Sequence, residues 1–143
     1  MNAMNAMNAM NPTTATKRPD VLVVDDEPGM RDTLVAILEL QGYRVSSAPD
    51  GETAFAAVQD GAFDVVVMDI RMPGRDGVSV LEEMGNPPPH VILMTAYAQE
   101  ERLRTAVEAN AFAIIYKPFE TRRMLGLVAE ASQAVKERSQ AAE

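Results

Sequence analysis

Ionisable and polar side chains stand directly after four of the short apolar runs in the sequence. They are Asp25, Asp26, Asp69, Thr95 and Lys117. Three carboxylates brought together would repel one another and need a compensating cation. Carboxylate oxygens suit Mg²⁺, which keeps several waters and shares its coordination shell with phosphate oxygens. A carboxylate can also form an acyl phosphate, and a metal, a lysine and a hydroxyl beside it would stabilise a phosphoryl group in transfer.

These side chains need a scaffold that brings the ends of the apolar runs together. The runs are 21–24, 43–45, 64–68, 91–94 and 112–116, and a stretch with apolar residues at helical spacing follows each of them. Strict alternation of β and α elements predicts a parallel sheet that is covered by helices on both faces. Ligands of such sheets gather at the carboxyl ends of the strands. We therefore predict an α/β fold of five β–α units, with the polar residues at one edge of the sheet.

Local signals mark the ends of several predicted helices. Asp50 has the side chain of a helix N-cap, and Gly42 and Gly61 provide helix stops. The segment 85–89, with its prolines, ends a short third helix. The last helix is predicted from Phe119 to the late 130s. The apolar residues of the predicted fourth helix are Leu103, Ala106 and Val107.

Composition and charge exclude several classes of protein. The 143 residues carry a net charge of -8, whereas a nucleic-acid-binding surface needs clustered Lys and Arg. The same charge makes anionic membranes poor partners, and no apolar run is long enough to cross a bilayer. The sequence has no cysteine, so disulfides and thiolate metal sites are excluded. We therefore expect a cytoplasmic protein that binds neither nucleic acid nor membrane directly.

The chain divides into one predicted domain and two short ends. Residues 1–19 begin with three Met-Asn-Ala repeats and continue with Thr and Pro, which is typical of a disordered leader. They lack the basic start and the continuous apolar stretch of a secretion signal. We place the folded domain at residues 20–138 and a C-terminal tail at residues 139–143.

Four motifs occur in order at the predicted strand ends. They are VLVVDDE at 21–27, VVVMDIRMPGRDG at 65–77, MTAY at 94–97 and KPF at 117–119. Together they resemble the receiver domain of two-component response regulators, over residues 21 to about 135. Each motif alone is weak, whereas four in the right order are specific. The resemblance implies the doubly wound, flavodoxin-like fold of chemotaxis regulators, with five parallel strands in the order 2-1-3-4-5.

The resemblance also implies a role for each residue of the acidic cluster. Asp69 would be the phosphoacceptor. Asp26 would ligate Mg²⁺ directly, and Asp25 would act largely through a coordinated water. The carboxylate of Asp69 and the backbone carbonyl of Arg71 would complete the protein's share of the metal shell.

Other positions matched by the resemblance would act on the phosphoryl group itself. Lys117 would pair first with Asp69 and then with the phosphoryl group, while Thr95 would move in to bond it. Arg71 and Tyr97 stand where family side chains flank the group and influence how fast it hydrolyses.

The sequence departs from the family pattern on the fifth strand. Family members often carry an aromatic residue three positions before the lysine, and this chain has Ile114 there. The usual Gly-Ala pair before the strand is Asn110-Ala111, and Asn tolerates a positive φ better than most residues. We expect Asn110 to stand in for glycine, and the readout through the fifth strand to differ from that of relatives. The resemblance further implies a cis peptide bond between Lys117 and Pro118.

The function implied by the resemblance is a signalling switch rather than an enzyme. A sensor histidine kinase or a histidine phosphotransfer protein would phosphorylate Asp69 in a Mg²⁺-dependent reaction. The resulting change of conformation would regulate an output protein or domain. Many relatives also form a homodimer through the face of the fourth helix, the fifth strand and the fifth helix, and we expect the same face here.

Simpler interpretations of the same residues stay open at this point. Asp25 and Asp26 can be loop acids at the start of the first helix, Lys117 a solvated residue, and Thr95 the N-cap of the fourth helix. A phospho-independent binding module would retain the receiver fold without the reaction. A phosphatase that forms an aspartyl phosphate would usually carry a second acid two residues after the nucleophile, where this chain has Arg71.

Overall fold

The computed structural model describes residues 19–61, 63–84, 89–96 and 101–142, with side chains as far as residue 135. Strands and helices alternate along the chain. They are β1 (Asp20–Val24), α1 (Pro28–Leu40), β2 (Arg44–Ala48), α2 (Gly51–Asp60), β3 (Val65–Asp69), α3 (Gly77–Glu82), β4 (His90–Thr95), α4 (Leu103–Glu108), β5 (Ala113–Tyr116) and α5 (Thr121–Ala142).

The five strands form one parallel sheet in the order β2-β1-β3-β4-β5, which confirms the predicted strand order. The register pairs Val24 of β1 with Met68 of β3, and Asp69 of β3 with Met94 of β4. The last residue of β4, Thr95, likewise pairs in register with the last residue of β5, Tyr116. The residues that follow four neighbouring strands therefore lie at one edge of the sheet, where such folds bind their ligands.

Helices cover both faces of the sheet, so alternate strand residues pack into two separate cores. Leu22, Val66 and Leu93 belong to the core beneath α2, α3 and α4. Val23 and Val67 belong to the core beneath α1 and α5. All five residues of β3 are buried, which is why the sequence shows a continuous apolar run there rather than alternation.

Two local predictions about backbone conformation are confirmed. The side chain of Asp50 caps α2, because it accepts a hydrogen bond from the backbone N–H of Thr53 at 2.7 Å. Asn110 has a φ of 68°, the left-handed conformation that glycine adopts most readily. Asn110 therefore takes the backbone conformation expected of the glycine that it replaces.

Two elements differ from their predicted extent. β2 begins and ends later than predicted, because it is an edge strand with three exposed residues out of five and has little apolar pattern. α5 continues to Ala142, beyond the predicted domain end at residue 138. Leu103, Ala106 and Val107 all lie in α4, as predicted, but the short helix buries Ala106 and leaves Val107 64% exposed.

Some predictions fall on residues that the structure does not describe. They concern the leader up to residue 18, the break at residues 85–88, and Tyr97. Among the described residues, no helix combines the length and the apolar character needed to cross a membrane.

Candidate functional site

Three aspartates that follow β1 and end β3 come together at the carboxyl edge of the sheet. One carboxylate oxygen from each of Asp25, Asp26 and Asp69 lies within 4.8 Å of the others. Asp25 is fully buried and Asp69 is 8% exposed, whereas Asp26 is exposed to solvent. Oxygen ligands at this spacing, with one of them open to water, fit a divalent cation such as Mg²⁺. The structure thus brings the three predicted acids together.

Lys117 bridges the two buried acids from the end of β5. Its Nζ donates to Oδ2 of Asp25 at 3.0 Å and to Oδ2 of Asp69 at 2.9 Å. The Lys117 side chain is only 16% exposed, so its simpler interpretation as a solvated residue is wrong. Its backbone N–H donates to the carbonyl oxygen of Thr95 at 2.7 Å, and its peptide bond to Pro118 is cis.

The second oxygen of each buried acid accepts a hydrogen bond from the backbone. The N–H of Glu27 donates to Oδ1 of Asp25 at 3.0 Å, and the N–H of Arg71 donates to Oδ1 of Asp69 at 3.2 Å. In both acids, therefore, Oδ2 accepts a hydrogen bond from Lys117 and Oδ1 accepts one from the backbone N–H two residues later. These bonds orient the two carboxylates before any ligand binds.

Burial changes the proton affinity of both members of the Lys117–Asp69 pair. Removal from water raises the pKa of Asp69 above its ordinary value, and the hydrogen bond and charge of Lys117 offset this only in part. For Lys117, burial alone would lower the pKa, but the hydrogen bonds and charges of Asp69 and Asp25 outweigh it and raise the pKa. Lys117 therefore remains a cation at neutral pH and compensates the charge of the acids.

Arg31 and β2 hold the loop that carries Asp25 and Asp26. Nη1 of Arg31 donates to the carbonyl oxygen of Asp25 at 2.7 Å. On the other side of the loop, the N–H of Asp25 donates to the carbonyl oxygen of Ala48 at 3.3 Å. Arg31 was not among the residues predicted to belong to the site. The available signal was a basic residue in the first turn of the helix that follows the acids.

Thr95 lies buried at the end of β4, at the same edge as the acids. It follows Met94, which is the register partner of Asp69 and accepts a hydrogen bond from the N–H of Ile70 at 2.9 Å. Arg102 takes the N-cap position of α4. The alternative interpretation of Thr95 as the N-cap of that helix is therefore wrong.

The loop 70–76, which follows Asp69, is anchored at both of its ends. The N–H of Gly77 donates to the carbonyl oxygen of Ile70 at 2.9 Å, and Asp76 caps α3 by accepting from the N–H of Ser79 at 2.8 Å. A Cβ on Gly77 would lie 2.4 Å from the carbonyl oxygen of Asp69. Only glycine fits at this position without a shift of the backbone that carries Asp69.

We expect Gly77→Ala to destabilise the domain. The added methyl group must displace the backbone of Asp69 or the start of α3, which lowers the free energy of unfolding by about 1–3 kcal/mol. Gly126→Ala is the matched control, because a Cβ there meets nothing within 4 Å and Ala in a helix is favoured over Gly by about 0.5–1 kcal/mol. Urea denaturation measures both variants, and equal stability of the two would contradict the close approach at Gly77.

Comparison with known families decides what kind of domain carries this site. A family profile described as the response regulator receiver domain matches residues 21–129. The chain belongs to this family. Receiver domains of response regulators are phosphorylated on an aspartate in two-component signalling, and this receiver domain has three aspartates and a lysine grouped at the expected edge of its sheet.

Similar proteins include longer regulators and isolated receiver domains. The regulatory protein AtoC of Escherichia coli (strain K12) is 41% identical over 115 residues, which are 79% of this chain and 25% of that protein. This chain therefore spans about a quarter of the length of that relative. A CheY-like receiver domain protein of Methanospirillum hungatei JF-1 has a TM-score of 0.81 and 28% identity, covering 85% of this chain and 99% of that one.

A further solved structure contains ligands. The response regulator protein TrrA of Thermotoga maritima, in complex with Mg²⁺-BeF, has a TM-score of 0.71 and 33% identity to this receiver domain. The match covers 79% of this chain and 98% of that chain. A relative with the same fold is thus described with magnesium bound, which agrees with the chemistry of the carboxylates in this receiver domain.

Proposed function

We propose that this receiver domain accepts a phosphoryl group on the carboxylate of Asp69 in a Mg²⁺-dependent reaction. A sensor histidine kinase or a histidine phosphotransfer protein donates the group, and the phosphorylated domain regulates an output protein or domain. The observation that carries this proposal is the convergence of Asp25, Asp26 and Asp69 around Lys117. Burying two carboxylates with a lysine is costly for folding, and such groups cluster at functional sites.

Four groups of this chain would hold the metal: the carboxylates of Asp25, Asp26 and Asp69 and the backbone carbonyl of Arg71. When bound, Mg²⁺ supplies positive charge that neutralises the phosphoryl oxygens during transfer. Asp26, whose side chain is exposed to solvent, would ligate the metal directly. Asp25, which is fully buried, would act largely through a coordinated water.

In the proposed reaction, a carboxylate oxygen of Asp69 attacks the phosphorus atom of a phosphohistidine. The new O–P bond forms as the P–N bond breaks, and the bonding electron pair returns to the histidine nitrogen. Nζ of Lys117, which donates a hydrogen bond to Asp69 before the reaction, donates one to a phosphoryl oxygen afterwards. The hydroxyl of Thr95 donates a second hydrogen bond to the phosphoryl group. The group stays on Asp69 until water hydrolyses it, so the domain works as a switch and not as an enzyme with a separate substrate.

Charge and composition support the partners and the cellular location that we propose for this switch. The net charge of -8 supports regulation through protein partners rather than through direct binding of nucleic acid or membrane. The absence of cysteine suits a reducing compartment and supports a cytoplasmic location. Regulation of an output protein or domain agrees with the relation to AtoC, of which this domain covers 25%.

We further propose that phosphorylation drives dimerisation through the face of α4, β5 and α5. Val107 on α4 and Tyr116 on β5 expose 64% and 48% of their area there. Beryllofluoride with Mg²⁺, which mimics the phosphoryl group, should raise the sedimentation mass towards that of a dimer. Val107→Lys should prevent the rise, whereas Leu40→Lys, at an 84% exposed position on α1, should not. Equal sedimentation mass with and without the mimic would overturn this proposal.

Phosphorylation by acetyl phosphate tests the central proposal without a partner kinase. In Mg²⁺, intact-mass spectrometry should show one added phosphoryl group, and removal of Mg²⁺ with EDTA should abolish the addition. The absence of any added group in millimolar Mg²⁺ would overturn the proposal and leave a receiver-shaped binding module.

A further inference from the structure

Arg75 in the loop 70–76 is a largely buried cation whose side chain contacts two helices. Its guanidinium carbon lies 4.1 Å from the centre of the Phe55 ring on α2. Nη1 lies 3.6 Å from Oε1 of Glu52 in the first turn of α2, and Nη2 pairs with Glu83 at the end of α3. Only 15% of the Arg75 side chain is exposed. The guanidinium therefore lies over an aromatic ring and joins the starting turn of α2 to the end of α3.

The backbone of Arg75 packs against the same end of α2. A Cβ placed on Gly51 would lie 2.1 Å from the carbonyl oxygen of Arg75. The loop and the first residue of α2 are therefore in direct backbone contact, and the Arg75 side chain continues that contact along the helix. No side chain larger than that of glycine fits between them.

The segment at the start of α2 also contacts the loop after β1, which carries Asp25 and Asp26. Ala48, at the end of β2, accepts a hydrogen bond from the N–H of Asp25 at 3.3 Å. Asp50 then caps α2 through the N–H of Thr53, and Gly51 follows. Residues 48–51 thus contact the acid loop after β1 on one side and Arg75 on the other.

The partners of Arg75 indicate that its role is more than stability. Glu52 and Glu83 have side chains that are 75% and 62% exposed, and ion pairs with such exposed partners stabilise a fold very little. What the three contacts do is fix the position of the loop 70–76 relative to α2. The same loop carries the backbone carbonyl of Arg71, four residues before Arg75, and follows directly on Asp69 at the end of β3.

We propose that Arg75 is a positioning residue for the divalent cation site, and this inference rests on the proposed function. By holding the loop 70–76 against the start of α2, Arg75 sets the separation between the ligands after β1 and those after β3. Groups that orient metal ligands without touching the metal typically contribute 10- to 100-fold in metal affinity. A lysine would keep the charge of Arg75, but it has no guanidinium plane to lie over the Phe55 ring and no second nitrogen to pair with both Glu52 and Glu83.

Magnesium affinity of the full chain tests this proposal independently of phosphorylation. The dissociation constant for Mg²⁺ comes from a titration followed by backbone amide NMR shifts. Arg75→Met should weaken binding by about tenfold or more, and Arg75→Lys should restore part of the affinity. Circular dichroism at the titration temperature establishes that each variant is folded, because loss of overall stability alone leaves the affinity of the folded protein unchanged.

Two control variants separate positioning from loss of charge or stability. Arg44→Met removes an arginine that pairs with Asp20 at 3.3 Å at the opposite end of the sheet, and it should bind Mg²⁺ like the parent. Val128→Ala weakens the core beneath α5 and should also keep the parental affinity. Weaker binding in either control, to the same extent as in Arg75→Met, would overturn the proposal.

Phe55→Leu provides a second route if Arg75→Met does not fold. It removes the ring beneath the guanidinium, keeps an apolar side chain, and should weaken Mg²⁺ binding in the same direction but less than Arg75→Met. Parental affinity in every folded variant of Arg75 and Phe55 would overturn the positioning role while leaving the proposed function intact. A parent chain that does not bind Mg²⁺ at millimolar concentration would overturn both.

Discussion

Asp69→Asn is expected to abolish phosphoryl uptake by the receiver domain. The amide side chain has no anionic oxygen to attack phosphorus, so the rate with acetyl phosphate and Mg²⁺ should fall by at least about 1000-fold. The variant should stay folded, because Lys117 keeps its hydrogen bond to Asp25 at 3.0 Å. Intact-mass spectrometry over a time course measures the phosphorylated fraction.

The matched control for this variant is Asp64→Asn. Asp64 stands at the opposite end of β3, where its Oδ2 accepts a hydrogen bond from the N–H of Asp20 at 2.9 Å. The same loss of one negative charge there should leave the uptake rate unchanged. Uptake by Asp69→Asn at the parental rate would mean that another residue accepts the group, and it would contradict the assignment of Asp69.

Lys117→Met should have two separable effects. In EDTA, Asp25 and Asp69 lose the cation that they share, so the free energy of unfolding should fall by about 2–4 kcal/mol. Added Mg²⁺ should recover much of this loss, because a ligand that binds the folded state stabilises it and here also restores positive charge. The rate of phosphoryl uptake should fall by about 100- to 1000-fold, since one donor to the transferring oxygens is removed.

Thermal denaturation with and without Mg²⁺, together with mass spectrometry, measures both effects of Lys117→Met. Arg122→Met serves as its control, because Arg122 is an exposed cation in the first turn of α5. This control should match the parent in stability and in uptake. If Lys117→Met also had the stability and the uptake rate of the parent, the hydrogen bonds of Lys117 to Asp25 and Asp69 would have no part in the site.

The sequence predicted the site because the central strands are buried on both faces. β3 consists of five buried residues, so its apolar run ends abruptly at Asp69. Asp25 likewise follows four buried residues of β1. Lys117 follows the edge strand β5, in which Ile115 is the one buried residue, so the run before it is less sharply bounded. In a parallel sheet these ends share one edge, so the order of the runs along the chain was enough to predict that the acids and the lysine meet.

Other features depend on contacts between distant residues and were not predictable in the same way. Arg31 and Arg75 are ordinary basic residues in the sequence, and their importance depends on a carbonyl and an aromatic ring supplied by other parts of the fold. β2 lies at the edge of the sheet and keeps a mostly polar pattern. The apolar spacing placed Ala106 and Val107 in one helix but could not show that α4 buries Ala106 and leaves Val107 exposed.

Ile114 remains the main departure from the pattern of the family. It lies half-buried on β5 and packs against the core beneath α2, α3 and α4. An aliphatic side chain in that core has no polar end that could alternate between core and solvent. We therefore expect phosphorylation to be read out through movement of the surrounding backbone rather than through rotation of a ring at this position.

In the proposed function, the acids and Lys117 form a Mg²⁺-dependent phosphoryl site on Asp69. The most direct measurement follows backbone amide NMR shifts of the full chain on addition of beryllofluoride, with and without Mg²⁺, beside Asp69→Asn. We predict shifts centred on Asp69, Thr95 and Lys117 that require Mg²⁺, are absent in the variant, and extend to Ile114 and α5. Identical spectra before and after the addition, at millimolar Mg²⁺, would contradict a phosphoryl site on Asp69.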